Sequence, residues 1–192
     1  MAITTIGQGG FPVGHVLQVE HVTSVASTQY AATTSSGHDI LDKSLTTKRA
    51  NSTFYVHWSI CHGVGDNVNN MDSHDMHFFC IRTAGGSDTN VGGNTGLNRN
   101  TAGSGTGTNR IYSTDVPFSP RSVHDTSPDY GSILDVFHRS GHFIDSPNLS
   151  GGVTNQYRVR MFNQSIMYLN RGRSDATNAG GVSSMVIMEI AV

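Results

Sequence analysis

The chain is short of charge. Asp, Glu, Lys and Arg make up 14% of its 192 residues, against roughly 25% in an average soluble domain. The net charge is only −2, so no basic field exists to hold a phosphate backbone, and nucleic-acid binding is not expected. Glutamate is almost missing: Glu20 and Glu189 are the whole supply, and both fall in predicted strands. A glycosidase needs two carboxylates facing one sugar, so a surface-glycan hydrolase is the least favoured reading. No Gly-x-Ser-x-Gly elbow is present, and the 103–107 glycine stretch lacks the Lys and following helix of a phosphate loop. The expectation is a protein that is not an enzyme and carries no cofactor. Long apolar runs are missing too. None approaches the ~18 residues of a membrane span, so no membrane insertion is expected. The first residues, MAITTIGQGG, lack the basic and apolar regions of a signal peptide, which predicts assembly in the cytoplasm of the producing cell. The two cysteines, Cys61 and Cys80, each sit in an apolar run and read as buried thiols rather than as a disulfide framework.

What replaces charge is Ser, Thr and Asn, at roughly three residues in ten, with 22 glycines. These residues solvate a surface through hydroxyls and amides and favour turns and strands over helix interiors. No segment has convincing helical periodicity, whereas period-two alternation recurs. Gly14 to Val22 alternates Leu17 and Val19 against Gln18 and Glu20. Phe54, Val56, Trp58 and Ile60 share a face, and His74 to Arg82 follows as a strand. Residues 23–38 suit an edge strand or loop, and Ile40 to Thr47 suits a short strand. Ile133 to His138 and His142 to Asp145 flank Arg139-Ser140-Gly141, which reads as a three-residue hairpin loop with a bulge. Tyr157, Val159 and Met161 mark another strand, with a tight turn at Asn163-Gln164 and a return through Ser165 to Asn170. Ser184 to Val192 closes the chain, apolar on both faces over most of its length, which predicts a central strand or burial in a subunit contact. Strands with short turns give the expected fold: all-β, an antiparallel β-sandwich of jelly-roll type. Residues 1–14 form an N-terminal arm and 15–192 the domain. A long polar loop over 83–110 has almost nothing apolar except Val91 and Leu97.

Ten histidines invite a metal reading. The densest set, His57, Cys61, His62, His74, Asp75 and His77, lacks zinc-motif spacing, so surface or capped imidazoles are favoured. An ion held by one His per chain on an oligomer axis is the surviving variant. His138 and His142 are expected to face each other across the proposed hairpin. Asp66, Asp72 and Asp75 lack the pattern of a calcium hand, so a solvated loop is expected. Arg158 and Arg160 read as a solvated sheet face, with an acidic sugar or a neighbouring subunit as the alternative. For Tyr30, Tyr55, Tyr112 and Tyr130, core or rim packing is favoured over stacking on sugars.

Five short segments, in order, carry a resemblance: GHVLQV at Gly14 to Val19, IDSPN at Ile144 to Asn148, QYRVR at Gln156 to Arg160, YLNR at Tyr168 to Arg171, and MEIA at Met188 to Ala191. Together they resemble a family of short virion proteins and fibre tips of tailed phages, common in marine phages. The likeness covers the first strand and roughly the last 50 residues and leaves 23–130 outside it. It implies a virion location and a homotrimeric β-sandwich. The expected role is that of a tail-fibre or fibre-tip adhesin, whose partners are itself, other virion proteins and a host surface glycan. The alternative is a capsid decoration protein bound to the shell through its arm. On this reading Asn90, Asn94, Asn98, Arg99, Asn100 and Arg110 form a host-contact loop, since amides hydrogen-bond sugar hydroxyls and Arg pairs with acidic groups. Met185, Ile187 and Ile190 are the expected trimer contact.

Overall fold

The protein was described from a computed structural model, which covers residues 13–31, 33–64, 76–91, 137–163, 166–171 and 180–192. It is an antiparallel β-sandwich, as the alternation predicts. In chain order the strands are β1 Val16–Ser24, β2 Thr28–Tyr30, β3 Thr33–Thr46, β4 Thr53–Val64, β5 Met76–Ala84, β6 Ser87–Val91, β7 Phe137–Asp145, β8 Thr154–Asn163, β9 Met167–Leu169 and β10 Ser183–Ile190. One sheet runs β1-β10-β4-β9-β2 with β7 also on β4, and the other runs β3-β8-β5-β6.

The first sheet is four strands wide. Ser59 of β4 pairs with Ser184 of β10 on one side and with Ser140 of β7 on the other. His62 pairs with Phe137 of β7 and with Leu169 of β9. So β9 and β10 lie end to end along the same edge of β4, and β2 and β1 follow them in the same way. β4 anchors this sheet because its alternation is strict: Phe54, Val56, Trp58 and Ile60 are all fully buried. Tyr157, Val159 and Met161 of β8 face them from the second sheet, joined by Phe78 and Cys80 of β5 and by Leu41 and Leu45 of β3. Burying side chains of this size contributes about 1.5–3 kcal/mol each, which is what holds two sheets rich in polar residues together. Along one side the sheets meet at β1 and β3, where Lys43 pairs with Glu20 at 3.1 Å and Gln18 Nε2 donates to the Thr46 carbonyl at 2.8 Å.

Three expectations need correction. Arg139-Ser140-Gly141 is not a turn: residues 137–145 are one strand, paired with β4 throughout. Gly141 is there because a Cβ would lie 2.6 Å from Trp58 Cζ2, so it makes room for the indole. His138 and His142 are consequently on the same strand, not opposite each other. The segment after Asn163 does not return along β8, because β9 pairs with β4 and β2 in the other sheet. Finally, the expected polar loop starts later than residue 83. Gly85 and Gly86, at φ 58° and 80°, make the two-residue turn that left-handed backbone permits, and β6 then pairs back along β5 from Ser87 to Val91.

Candidate functional site

Among the described residues, four groups of polar side chains stand out. The first is Glu189, whose strand position turns it into the sandwich, where it is fully buried. Its carboxylate accepts the backbone N–H of Lys48 at 2.9 and 3.0 Å and that of Arg49 at 3.0 Å, and Gln18 Nε2 donates to it at 2.5 Å. Those amides belong to the β3–β4 connection, so the carboxylate ties that turn to the end of β10.

The second group crosses the sandwich. Arg82 of β5 donates to both oxygens of Asp145 on β7, at 2.7 and 2.6 Å, and the Tyr157 hydroxyl on β8 donates to the same carboxylate at 2.7 Å. Burial and the Asp145 charge push the Tyr157 phenol well above its usual range, so it stays a donor.

The third is a polar lock. Asn170 takes the left-handed conformation at φ 57°, which Asn tolerates. Its Nδ2 donates to the carbonyls of Ser24 at 2.9 Å and Ala26 at 3.1 Å, and its Oδ1 accepts from Ser183 Oγ at 2.6 Å. Ser183 Oγ accepts the Cys61 N–H at 3.0 Å, and the Asn170 N–H donates to the Cys61 carbonyl at 2.8 Å. One amide thus joins the β1–β2 link, β4, β9 and β10.

The fourth lies on the outer face of the second sheet. Arg158 reaches Asp39 at 2.8 Å and Asp88 at 2.6 Å, and donates to Thr83 Oγ1 at 2.9 Å. Arg160 reaches Asp39 at 2.6 and 2.9 Å. Burial raises Asp39, but the hydrogen bonds and charges of Arg160 and Arg158 outweigh it and hold the carboxyl below its ordinary value. The two arginines are therefore engaged with this chain's own carboxylates.

Of the expected host-contact residues, Asn90 is exposed on β6, opposite Ile81. Asn94, Asn98, Arg99, Asn100 and Arg110 lie outside the described residues, as do the loop aspartates Asp66, Asp72 and Asp75, with His74, Tyr112 and Tyr130. Met185 and Ile187, expected at a subunit contact, are fully buried in the chain's own core, packed from β10 against the opposite sheet. Ile190 is on the outward face of β10 and half-buried. The apolar pattern at Met185 and Ile187 is thus satisfied within one chain.

Cys61 and Cys80 are free and buried, and burial raises both thiols above their usual range. His62 is buried with its ring 5.5 Å from that of Phe78. Burial, with Arg139 and His138 nearby, pushes it down to about 3, so it is neutral at physiological pH. Among the described residues no three His, Cys, Asp or Glu side chains are grouped to hold a metal ion.

Sequence reasoning missed the outer face of the first sheet. Residues paired across antiparallel strands share a face. The register puts Val19, Met188, Tyr55 and Ile144 in one outward row, and His21, Val186, His57 and His142 in the next. Val19 is 53% and Ile144 69% exposed. Among the described residues no outward position of β1, β10, β4 or β7 carries Asp, Glu, Lys or Arg. The signal was in the alternation of Ser184 to Ile190, whose second apolar face the strand register now explains. No protein-family model matches the chain, and no curated protein is detectably similar to it.

Proposed function

We propose that this chain is a non-enzymatic structural protein of a tailed-phage particle, a tail-fibre or fibre-tip component that contacts the host surface. One observation carries the reading. The segments in which the chain resembles short phage virion proteins coincide with the parts that fix the sandwich. GHVLQV enters β1, whose Gln18 meets Glu189. IDSPN contains Asp145, QYRVR contains Tyr157, YLNR contains Asn170 and MEIA contains Glu189, each a member of a buried polar lock. The polar loop expected over 83–110 lies in the stretch that the resemblance leaves out. A common scaffold with a polar insertion of its own is the arrangement expected of proteins that keep a frame and vary what they touch. Asn90, which belongs to that expected loop, is exposed.

A second reading has its own support. Gly14 N–H donates to the Ala191 carbonyl at 2.7 Å, and Ala191 N–H donates to the His15 carbonyl at 2.8 Å. Gly14 and His15, which directly follow the expected arm, are therefore fixed at one end of the sandwich, which suits a capsid decoration protein held by that arm. Antibody labelling of intact particles in the electron microscope tests both. Label at the tail tip is the expected result, and label over the capsid selects the decoration protein. Particles that contain no such chain overturn the virion reading.

A further inference from the structure

The two outer faces of the sandwich differ in kind. That of the second sheet is charged and internally compensated, with Arg158 and Arg160 paired to Asp39 and Asp88. Such a face is content in water. That of the first sheet has no charged side chain among its described outward positions and presents the contiguous row Val19, Met188, Tyr55 and Ile144 across all four strands. Ile144 and Val19 lie on its two flanks, at 69% and 53% exposure.

We infer that the outer face of the first sheet is the surface through which copies of this chain associate. The size is appropriate. Four strands spaced ~4.8 Å apart, paired over seven residues of β4, span about 19 by 24 Å. In plan that is roughly 450 Å², of the order of the ~800 Å² of accessible surface that each partner gives to a standard interface. Within that span the apolar row, with Val186 beside it, is bordered by His21, His57, His142, Thr23, Ser184, Ser59 and Ser140, and an exposed apolar patch rimmed by polar residues marks an interaction site. The occupant follows from the charge. Contacts with unlike proteins are steered by complementary charge, and this face offers none. A face without charge can meet its own copy with no like charges opposed, and the cores of interfaces between identical chains are the most apolar and charge-depleted. The imidazoles of His57 and His142, cross-strand partners in the row beside the apolar one, carry ring nitrogens that can hydrogen-bond across such a contact. The inference shares with the virion reading only the idea that copies assemble, and it is tested on the purified full chain.

The experiment is sedimentation velocity over a micromolar concentration series, on the wild type, Ile144→Glu, Met188→Glu and a control, Ser44→Glu. Ser44 is exposed on β3 of the second sheet. Circular dichroism and a thermal melt establish that each variant is folded. Ile144→Glu is the safer probe, because its side chain is already mostly in solvent. The wild type and Ser44→Glu are expected to form dimers or trimers. Ile144→Glu and Met188→Glu are expected to weaken association by about tenfold or more while keeping a cooperative melt. A wild type that stays monomeric overturns the inference. So does a folded Ile144→Glu protein that associates as the wild type does, since assembly would then use another surface. Absence of the chain from phage particles would overturn the virion reading and leave this result untouched.

Discussion

Glu189 shows how much one side chain settles here. A carboxylate at the inward end of a core strand is unfavourable unless every lone pair is engaged, and the amides of Lys48 and Arg49 with Gln18 engage it. Glu189→Ala leaves buried backbone donors unpaired and is expected to cost about 3 kcal/mol or more. Glu189→Gln turns a donor toward those same amides and is expected to cost nearly as much, read as a shift in the urea midpoint at unchanged slope. His62 makes a pH prediction. Its folded value lies near 3, below the ordinary histidine range, so the unfolded chain binds the extra proton. Its unfavourable effect is absent above that range and grows as pH falls toward the folded value, by about 1.4 kcal/mol per unit. Unfolding measured at pH 7 and at pH 4.5 is expected to show a steeper acid loss for wild type than for His62→Gln, by about 2 kcal/mol. Equal acid losses would show that His62 is not buried neutral.

Gly141 belongs to the element scale, because it decides what residues 137–145 are. The sequence Arg-Ser-Gly between two apolar runs has the composition of a turn, and composition does not distinguish a glycine that bends the chain from one that yields space. The deciding partner, Trp58, is far away in sequence. Gly141→Ala is expected to cost about 1–3 kcal/mol through overpacking. In a Trp58→Leu background the same change is expected to cost less than about 1 kcal/mol, which a double-mutant cycle measures. A strict turn glycine would cost the same in both. The strands with clean alternation, β4 and β8, were legible because burial alone dictates their period. The sheet to which β9 belongs was not, since three apolar residues pair equally well with either sheet until Asn170 and Ser183 lock one choice. The hairpin at Gly85-Gly86 was readable in principle from the doubled glycine, but its second strand, Ser87 to Val91, is polar except at Val91, which is buried. The candidate surface was the least legible part. A strand with two apolar faces leads one to expect both covered, and only the register shows that Met185 and Ile187 look inward while Val186 and Met188 look out. This sharpens the test of the polar insertion. Replacing 92–107 with a short Gly-Ser linker is expected to leave the melt nearly unchanged, because that stretch has little apolar area to bury and loop closure varies slowly with length. Extending the replacement back to residue 86 removes β6 and Val91 and is expected to lower the melt by several degrees, roughly what a 1–2 kcal/mol loss produces in a domain of this size.

At the scale of the whole molecule, the start and the end of the described chain lie side by side yet carry opposite weight. Gly14 and His15 bond to Ala191, so the approach to β1 runs beside the exit from β10. Among the described strands β1 has one neighbour, whereas β10 has β1 on one side and β4 on the other. Removing Met1 to Gly10 takes away residues that precede β1 and are mostly polar or glycine. The truncated protein is expected to fold with an unchanged melt and, if the arm is an anchor, to be missing from particles. Removing Met188 to Val192 strips the end of a central strand. It deletes Glu189, frees the Lys48 and Arg49 amides, and opens the flank of Phe54, which pairs with Glu189. That loss combines unpaired buried donors with exposed apolar core, several kcal/mol in a fold whose total margin is about 5–15 kcal/mol. The expected outcome is insoluble protein, or soluble protein with no cooperative melt. A cooperative melt within a few degrees of wild type after this second truncation would mean that β10 is peripheral, and that the outward row built on it cannot be an assembly surface.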